Sequence, residues 1–203
     1  MLVLIVAAAA AQTFDLCAGS GLTVEDLVFE FFDPSVATLI EAEYFGDCSA
    51  SGKVVLPASH VIASDFGEDE ALVLTSGSLL LAETTVNSAD SSGTGHDEPG
   101  IPGDPTTFDA ARVDFIIEAT RSTVVSFTYV FGSEEYNEFA GGSFNDAFQL
   151  LIGVGGALDP ASVAGLTNVA LVPGTTQEVS INTVNRNVNS QFYRDNDPSD
   201  NNF

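Results

Sequence analysis

At 203 residues and 21.2 kDa the chain is long enough for one domain with a proper core and barely long enough for two. Apolar residues make up 45% of it, with 15 Phe, so it can bury enough surface to fold, which excludes a disordered acidic tail. With 29 Asp plus Glu against 5 Lys plus Arg, the formal charge of -24 repels nucleic-acid phosphates and anionic lipid head groups and argues against both as partners. Such a balance suits a chain that binds cations, works in salty surroundings or stays soluble outside the cell.

In chain order, the first segment is an apolar run from Leu2 to Ala11, with small residues where an A-x-A cleavage falls. It reads as a secretory signal over residues 1–11, followed by a single domain over 12–203. No Lys or Arg precedes the run, so the usual basic start is missing, and the beginning of a buried strand or helix is the other reading. No later run reaches the roughly 18 apolar residues of a membrane span, so none is expected in this chain. Secretion gives the two cysteines, Cys17 and Cys48, an economical fate as a disulfide closing a loop of about 30 residues; two free buried thiols are the alternative. With His60 and His96 far apart, the chain has no ligand spacing for structural zinc.

The stretch GLTVEDLVFEFFD predicts one short helix, with Thr23 as cap, Asp26 in the capping-box position and an end near Asp33-Pro34. Its apolar stripe comprises Leu22, Val24, Leu27, Val28 and Phe31. Short β-like runs follow: Val36 to Tyr44, Lys53 to Ala63, Ala71 to Thr75, Val113 to Ala119, Thr123 to Phe131, Ala147 to Val154, Val169 to Val172 and Glu178 to Val184. Gly, Pro, Ser, Asn and Asp separate them, which predicts a mostly β fold, an antiparallel β-sandwich of jelly-roll type with one N-terminal helix. Between 87 and 108 the Ser-, Gly-, Pro- and Asp-rich NSADSSGTGHDEPGIPGDPTTF predicts a long surface loop.

The segment richest in chemistry is FGSEEYNEFAGGSFNDAF, residues 131–148. It reads as the connection between two central antiparallel strands, with Gly141-Gly142 permitting the turn. Regular strand geometry sends Glu134 and Glu135 to opposite faces, so a bulge or turn is needed to bring them to one site. Calcium takes six to eight oxygen ligands, commonly from loops, and Glu134, Glu135, Asn145 and Asp146 have the right chemistry. The competing reading is a plain acidic turn whose Asn and Asp bond the local backbone. The Asp-rich loop (Asp90, Asp97, Asp104, Asp109) and the tail Asp195-Asn196-Asp197 with Asp200 are lesser calcium candidates; the tail lacks the glycine and distal glutamate of an EF-hand. Tyr136, Phe139, Phe144 and Phe148 read as packing residues rather than a ligand platform. Lys53, Arg112, Arg121, Arg186 and Arg194 are too few to neutralise so much acid, which favours a metal over internal salt bridges, although Arg112 or Arg121 can reach one glutamate.

Several stretches together carry a family resemblance: Leu22-Thr23 with Asp26-Leu27-Val28, Leu74-Thr75-Ser76-Gly77, Phe108-Asp109-Ala110, Val130-Phe131-Gly132-Ser133-Glu134-Glu135-Tyr136 and Phe144-Asn145-Asp146-Ala147-Phe148. Asn182, Asn185 and Phe192-Tyr193 with Asp195-Asn196 continue the series in order. The chain thereby resembles the choice-of-anchor L domain family, a module of surface or secreted proteins, over most of residues 20 to 200. Family members continue beyond the point where this chain stops at Phe203, so a last C-terminal segment is expected to be missing. The resemblance implies an extracellular, surface-attached module without established catalytic activity.

No enzyme constellation stands beside that implication. A G-x-S-x-G elbow is lacking, neither histidine has a nucleophile at a telling spacing, and Gly153-Val154-Gly155-Gly156 lacks the third glycine of a dinucleotide fingerprint. The sequence therefore predicts a non-catalytic adhesion or matrix module, secreted or at the cell surface, stiffened by Ca2+, with an extracellular protein or glycan as partner. The alternative is a carbohydrate-binding or glycoside-processing β-sandwich, against which the absence of Trp and the presence of only 4 Tyr count. Oligomeric state is left open by the sequence.

Overall fold

The computed structural model describes residues 12–17, 20–29, 32–56, 69–79, 108–133, 135–155, 158 and 165–195. The signal at 1–11 and nearly all of the loop at 87–108 lie outside the described residues, as do His60 and His96. The chain is mostly β with antiparallel pairing and one short helix, as the sequence predicts.

The helix α1, Val24–Phe29, starts where its cap dictates. Thr23 Oγ1 accepts from the Asp26 N–H at 3.2 Å, and Asp26 Oδ2 accepts from the Thr23 N–H at 3.1 Å and from its hydroxyl at 2.8 Å, a reciprocal capping box. Leu27 and Val28 are its buried face. The helix is described as far as Phe29, and beyond it Asp33, which precedes Pro34, is drawn into a turn of its own. Its Oδ1 accepts from the Ser35 N–H at 2.8 Å and its carbonyl from Val36 and Ala37, which delivers the chain directly into a strand.

That strand, β2 (Ala37–Phe45), forms the longest ladder among the described residues with β5 (Arg112–Ala119), from Ala37 opposite Ala119 to Phe45 opposite Arg112. A β-bulge interrupts it: Leu39 faces Ile117 and Glu41 faces Ile116, leaving Ile40 as the extra residue. A second sheet runs β1 (Gln12–Asp15), β3 (Ser51–Val55) and β4 (Glu70–Leu74), with β3 in the middle. Gly52 of β3 lies so close to β1 that a Cβ there would stand 2.0 Å from the Phe14 carbonyl oxygen, so only glycine fits. The disulfide Cys17–Cys48, Cα to Cα 4.8 Å, ties the end of β1 to the 3-10 turn at Cys48–Ala50 that leads into β3. Among the described residues, Leu27, Val28, Ala37, Ala50, Val54, Leu56, Val73, Leu79 and Ala111 are the buried apolar residues of this half.

The other half is built from very short ladders. β6 (Ala147–Phe148) pairs with β9 (Val179–Ser180), and β7 (Leu151–Ile152) pairs with β8 (Thr167–Asn168). The predicted run Ala147 to Val154 is therefore split, because the Asn168 side chain takes over at the break, its Oδ1 accepting from the Leu150 and Ala170 N–H groups. Glu178 to Val184 is likewise cut short: Thr183 Oγ1 accepts from the Ser180 N–H and donates to the Glu178 carbonyl, which curls the chain after β9. The run Thr123 to Phe131 forms no strand at all. Beyond β5 the ladder runs out at the Thr120 N–H to Val36 carbonyl bond, because β2 begins there and has nothing further to offer. The run contributes side chains instead, with Tyr129 and Phe131 packed on the buried cluster Val172, Val179 and Val184, while Val124 at its other end is 90% exposed.

Candidate functional site

The acidic stretch does not join two paired strands, since Thr123 to Phe131 is unpaired and β6 pairs with β9. It is a folded loop, residues 133–146, fastened to the segment 181–195 by side-chain hydrogen bonds. Ser133, 1% exposed, pins both ends of the loop: its hydroxyl donates to Asp146 Oδ2 at 2.6 Å and accepts from the Glu135 N–H at 3.0 Å. Inside the loop the Phe139 N–H donates to the Glu135 carbonyl at 3.0 Å, and the Gly142 N–H to the Phe139 carbonyl at 2.8 Å. Gly141 makes the expected turn at φ +89°, a conformation that suits glycine.

Across from the loop, Asn182 grips it at three points. Its Oδ1 accepts from the Gly141 N–H, its Nδ2 donates to the Gly142 carbonyl at 3.1 Å, and its main-chain N–H donates to Asn145 Oδ1 at 3.1 Å. The Ile181 N–H donates to the Asp146 carbonyl at 3.1 Å. Asn185, only 3% exposed, holds the gripping segment in shape: Nδ2 donates to the Ile181 carbonyl at 2.8 Å and Oδ1 accepts from the Asn187 and Val188 N–H groups, each at 2.9 Å. These buried amide bonds satisfy the backbone where no ladder does.

A second fastening is aromatic. The rings of Tyr136 and Tyr193 lie 5.0 Å apart, and the Tyr136 hydroxyl donates to the Val184 carbonyl. The Tyr193 hydroxyl lies 2.6 Å from Asn137 Oδ1 and 3.2 Å from Asp195 Oδ1, while Asn137 Nδ2 donates to Asp195 Oδ1 at 3.0 Å. Burial, with Tyr193 and Asp146 nearby, pushes the Tyr136 hydroxyl well above the usual phenol range. Burial and the adjacent Asp195 push Tyr193 up to about 12. Both phenols are neutral donors at physiological pH, suited to holding structure rather than to moving protons.

Of the residues singled out from sequence, Glu134 lies outside the described residues. Ser133 ties the Glu135 backbone N–H, not its carboxylate, to the Asp146 carboxylate, and the 181–182 backbone bonds the Asn145 side chain and the Asp146 carbonyl. Among the described residues the only close trio of metal-ligand side chains is Cys17, Asp47 and Cys48; both sulfurs are in the disulfide and Asp47 Oδ1 accepts from Ser49, so this trio is structural. Asp90, Asp97, Asp104, Asp197 and Asp200 lie outside the described residues. Among the basic side chains, Arg112 pairs with Asp114 of its own strand at 2.8 Å and lies 4.4 Å over the Phe45 ring, and Lys53 pairs with Glu70 at 2.7 Å. Phe148 is buried against Tyr129, as packing residues should be, whereas Phe139 and Phe144 form an edge-on pair that is 36% and 60% exposed. Sequence chemistry alone missed the gripping roles of Ser133, Asn137, Asn182 and Asn185, because uncharged amides and hydroxyls announce no chemistry. Their signal is that most of them fall in the stretches carrying the family resemblance.

A mostly β module whose acidic loop is bound to the segment 181–195 by Ser, Asn and Tyr side chains is the class that fold and site define. The chain belongs to the choice-of-anchor L domain family, whose model matches residues 22–203. No curated protein and no solved structure matches it. Membership points to a surface or secreted module, and no helix among the described residues is long and apolar enough to cross a membrane.

Proposed function

We propose that this chain is a non-catalytic extracellular module of the adhesion or matrix type, which presents loop 133–146 as a rigid acidic surface stiffened by Ca2+. The observation that supports this reading best is the fastening itself. Uncharged donors from Ser133, Asn182 and the Ile181 backbone hold the loop, yet they bring no positive charge to it. Asp146 uses one carboxylate oxygen on Ser133 and Asn145 its Oδ1 on Asn182, and each carboxylate or amide oxygen keeps lone pairs for a hard cation. In this proposal Glu134, Glu135, Asn145 and Asp146 supply the ligands, and the ion offsets their mutual repulsion. The neutral phenols and a Ser133 hydroxyl bonded to a carboxylate rather than to a histidine fit a structural role better than a nucleophilic one.

The test is thermal unfolding of the chain in excess EDTA and then in millimolar CaCl2, repeated on E134Q/D146N. Binding to the native state raises stability by about 2.7 kcal/mol at a hundredfold excess over Kd, so the parent melt should rise by several degrees. The double variant should lose that rise. An equal rise in both, or none in either, overturns the calcium part of the proposal.

One observation favours the carbohydrate alternative: the exposed Phe139 and Phe144 rings, 5.4 Å apart, stand on the acidic loop where a sugar face could stack. Glycan-array binding that is lost in F144A and insensitive to EDTA would replace the adhesion reading with a lectin-like one.

A further inference from the structure

Away from the acidic loop, α1 and β2 enclose an open groove of about 470 Å³. Phe29, Leu39, Ile40 and Ala42 line it together with three acidic residues, Glu25, Asp26 and Glu41. Phe29 is 53% exposed and Ile40 56%, so two large apolar side chains stand in water on one concave surface.

The strand geometry shows that this surface is built. Successive residues of a regular strand face opposite sides of a sheet, yet Leu39, Ile40 and Glu41 all line the groove. The bulge makes that possible, because Ile40 is the extra residue between the Leu39–Ile117 and Glu41–Ile116 pairs. A bulge forfeits ladder bonds in the longest sheet pairing among the described residues, and its result here is an exposed isoleucine that lines the groove with Phe29. On the helix side, the capping box fixes the first turn and with it the position of the Asp26 carboxylate, held ionised by its bonds from Thr23.

The lining selects the occupant. It carries three carboxylates and no basic residue, so a complementary ligand is cationic, and its apolar side chains ask for a bulky apolar group beside the charges. A second copy of this chain brings another -24 and is repelled, as is an anionic membrane. We propose that the α1–β2 groove is a docking site for a basic segment of another protein, with Lys or Arg flanking a Leu- or Phe-sized anchor that seats between Phe29 and Ile40. This goes beyond the calcium-stiffened loop and does not depend on it.

The probe is a fluorescein-labelled heptapeptide of alternating Lys and Leu, followed by anisotropy at physiological salt, with an alternating Lys and Ser peptide of the same charge as control. The Leu peptide should bind about tenfold more tightly than the Ser peptide, and I40S should remove that advantage while leaving the weak Ser-peptide binding unchanged. E25Q/E41Q, which leaves the apolar lining intact, should weaken the Leu peptide several-fold and carries the test if I40S does not fold. Equal binding of the two peptides, or unchanged Leu-peptide binding in I40S or in E25Q/E41Q, overturns the proposal, since the affinity would then be general charge attraction. A concentration-dependent dimer in sedimentation that I40S abolishes overturns it in favour of a second copy as occupant.

Discussion

The β2–β5 ladder and the 133–195 region are held together by different means. In the ladder, main-chain groups pair with main-chain groups over eight registered positions, and side chains are free to vary without touching the bonds. In the 133–195 region the ladders are two residues long, and the backbone is instead satisfied by Ser133, Asn168, Thr183, Asn182 and Asn185 side chains. The first kind of structure tolerates substitution; the second places each burden on a named residue.

The comparison can be sharpened by substitutions on each side. The largest effect should come from neither ladder nor loop but from the covalent tie in the frame: Cys17→Ser/Cys48→Ser releases a closure spanning 31 residues and should cost about 3–4 kcal/mol, read as a fall in Tm of roughly ten degrees. Next comes Asn185→Ala, which leaves the Ile181 carbonyl and the Asn187 and Val188 N–H groups without partners and should cost about 2 kcal/mol in urea unfolding. Thr38→Ala, an exposed ladder position on β2, should by contrast move stability by no more than about 0.5 kcal/mol. Equal costs for the two would erase the distinction between the regions.

Tyr136→Phe is the milder probe of the loop side, removing only the bond to the Val184 carbonyl, at about 1 kcal/mol. The same tyrosines make a pH prediction. Tyr136 and Tyr193 are raised in the folded state, so their contribution is complete below the unfolded phenol value of about 10 and is lost as pH climbs from there through about 12. All 4 tyrosines, Tyr44 and Tyr129 included, are raised by burial, so absorbance at 295 nm should show no tyrosinate wave near pH 10 in the native protein. The wave should arrive together with alkaline unfolding. A separate wave before unfolding would place those hydroxyls in water.

Much of the frame was legible in the sequence. Thr23 and Asp26 mark the helix start because capping is local chemistry, and the runs at Val36 to Tyr44, Ala71 to Thr75 and Val113 to Ala119 match β2, β4 and β5 to within about a residue at each end. Thr123 to Phe131 misled because alternation reports which side chains can be buried, not whether a partner strand exists. Tyr129 and Phe131 are indeed inward, without a ladder. In the site, ligand chemistry points to Glu134, Glu135, Asn145 and Asp146, while the loop is held by the Ser133 hydroxyl at its own start and by Asn182 some forty positions further on. A hydrogen bond from Asn182 to Gly142 leaves no periodic trace in either segment.

The most direct test of the account is native-state hydrogen exchange on the parent and on Asn182→Ala. The Gly141 N–H loses its acceptor in the variant, and with the grip released Ile181 should exchange faster too, while the amides of β2 and β5 keep their protection. That selective loss is what a loop fastened by side chains predicts. Unchanged exchange at Gly141 and Ile181, or an equal loss of protection across β2 and β5, would contradict it.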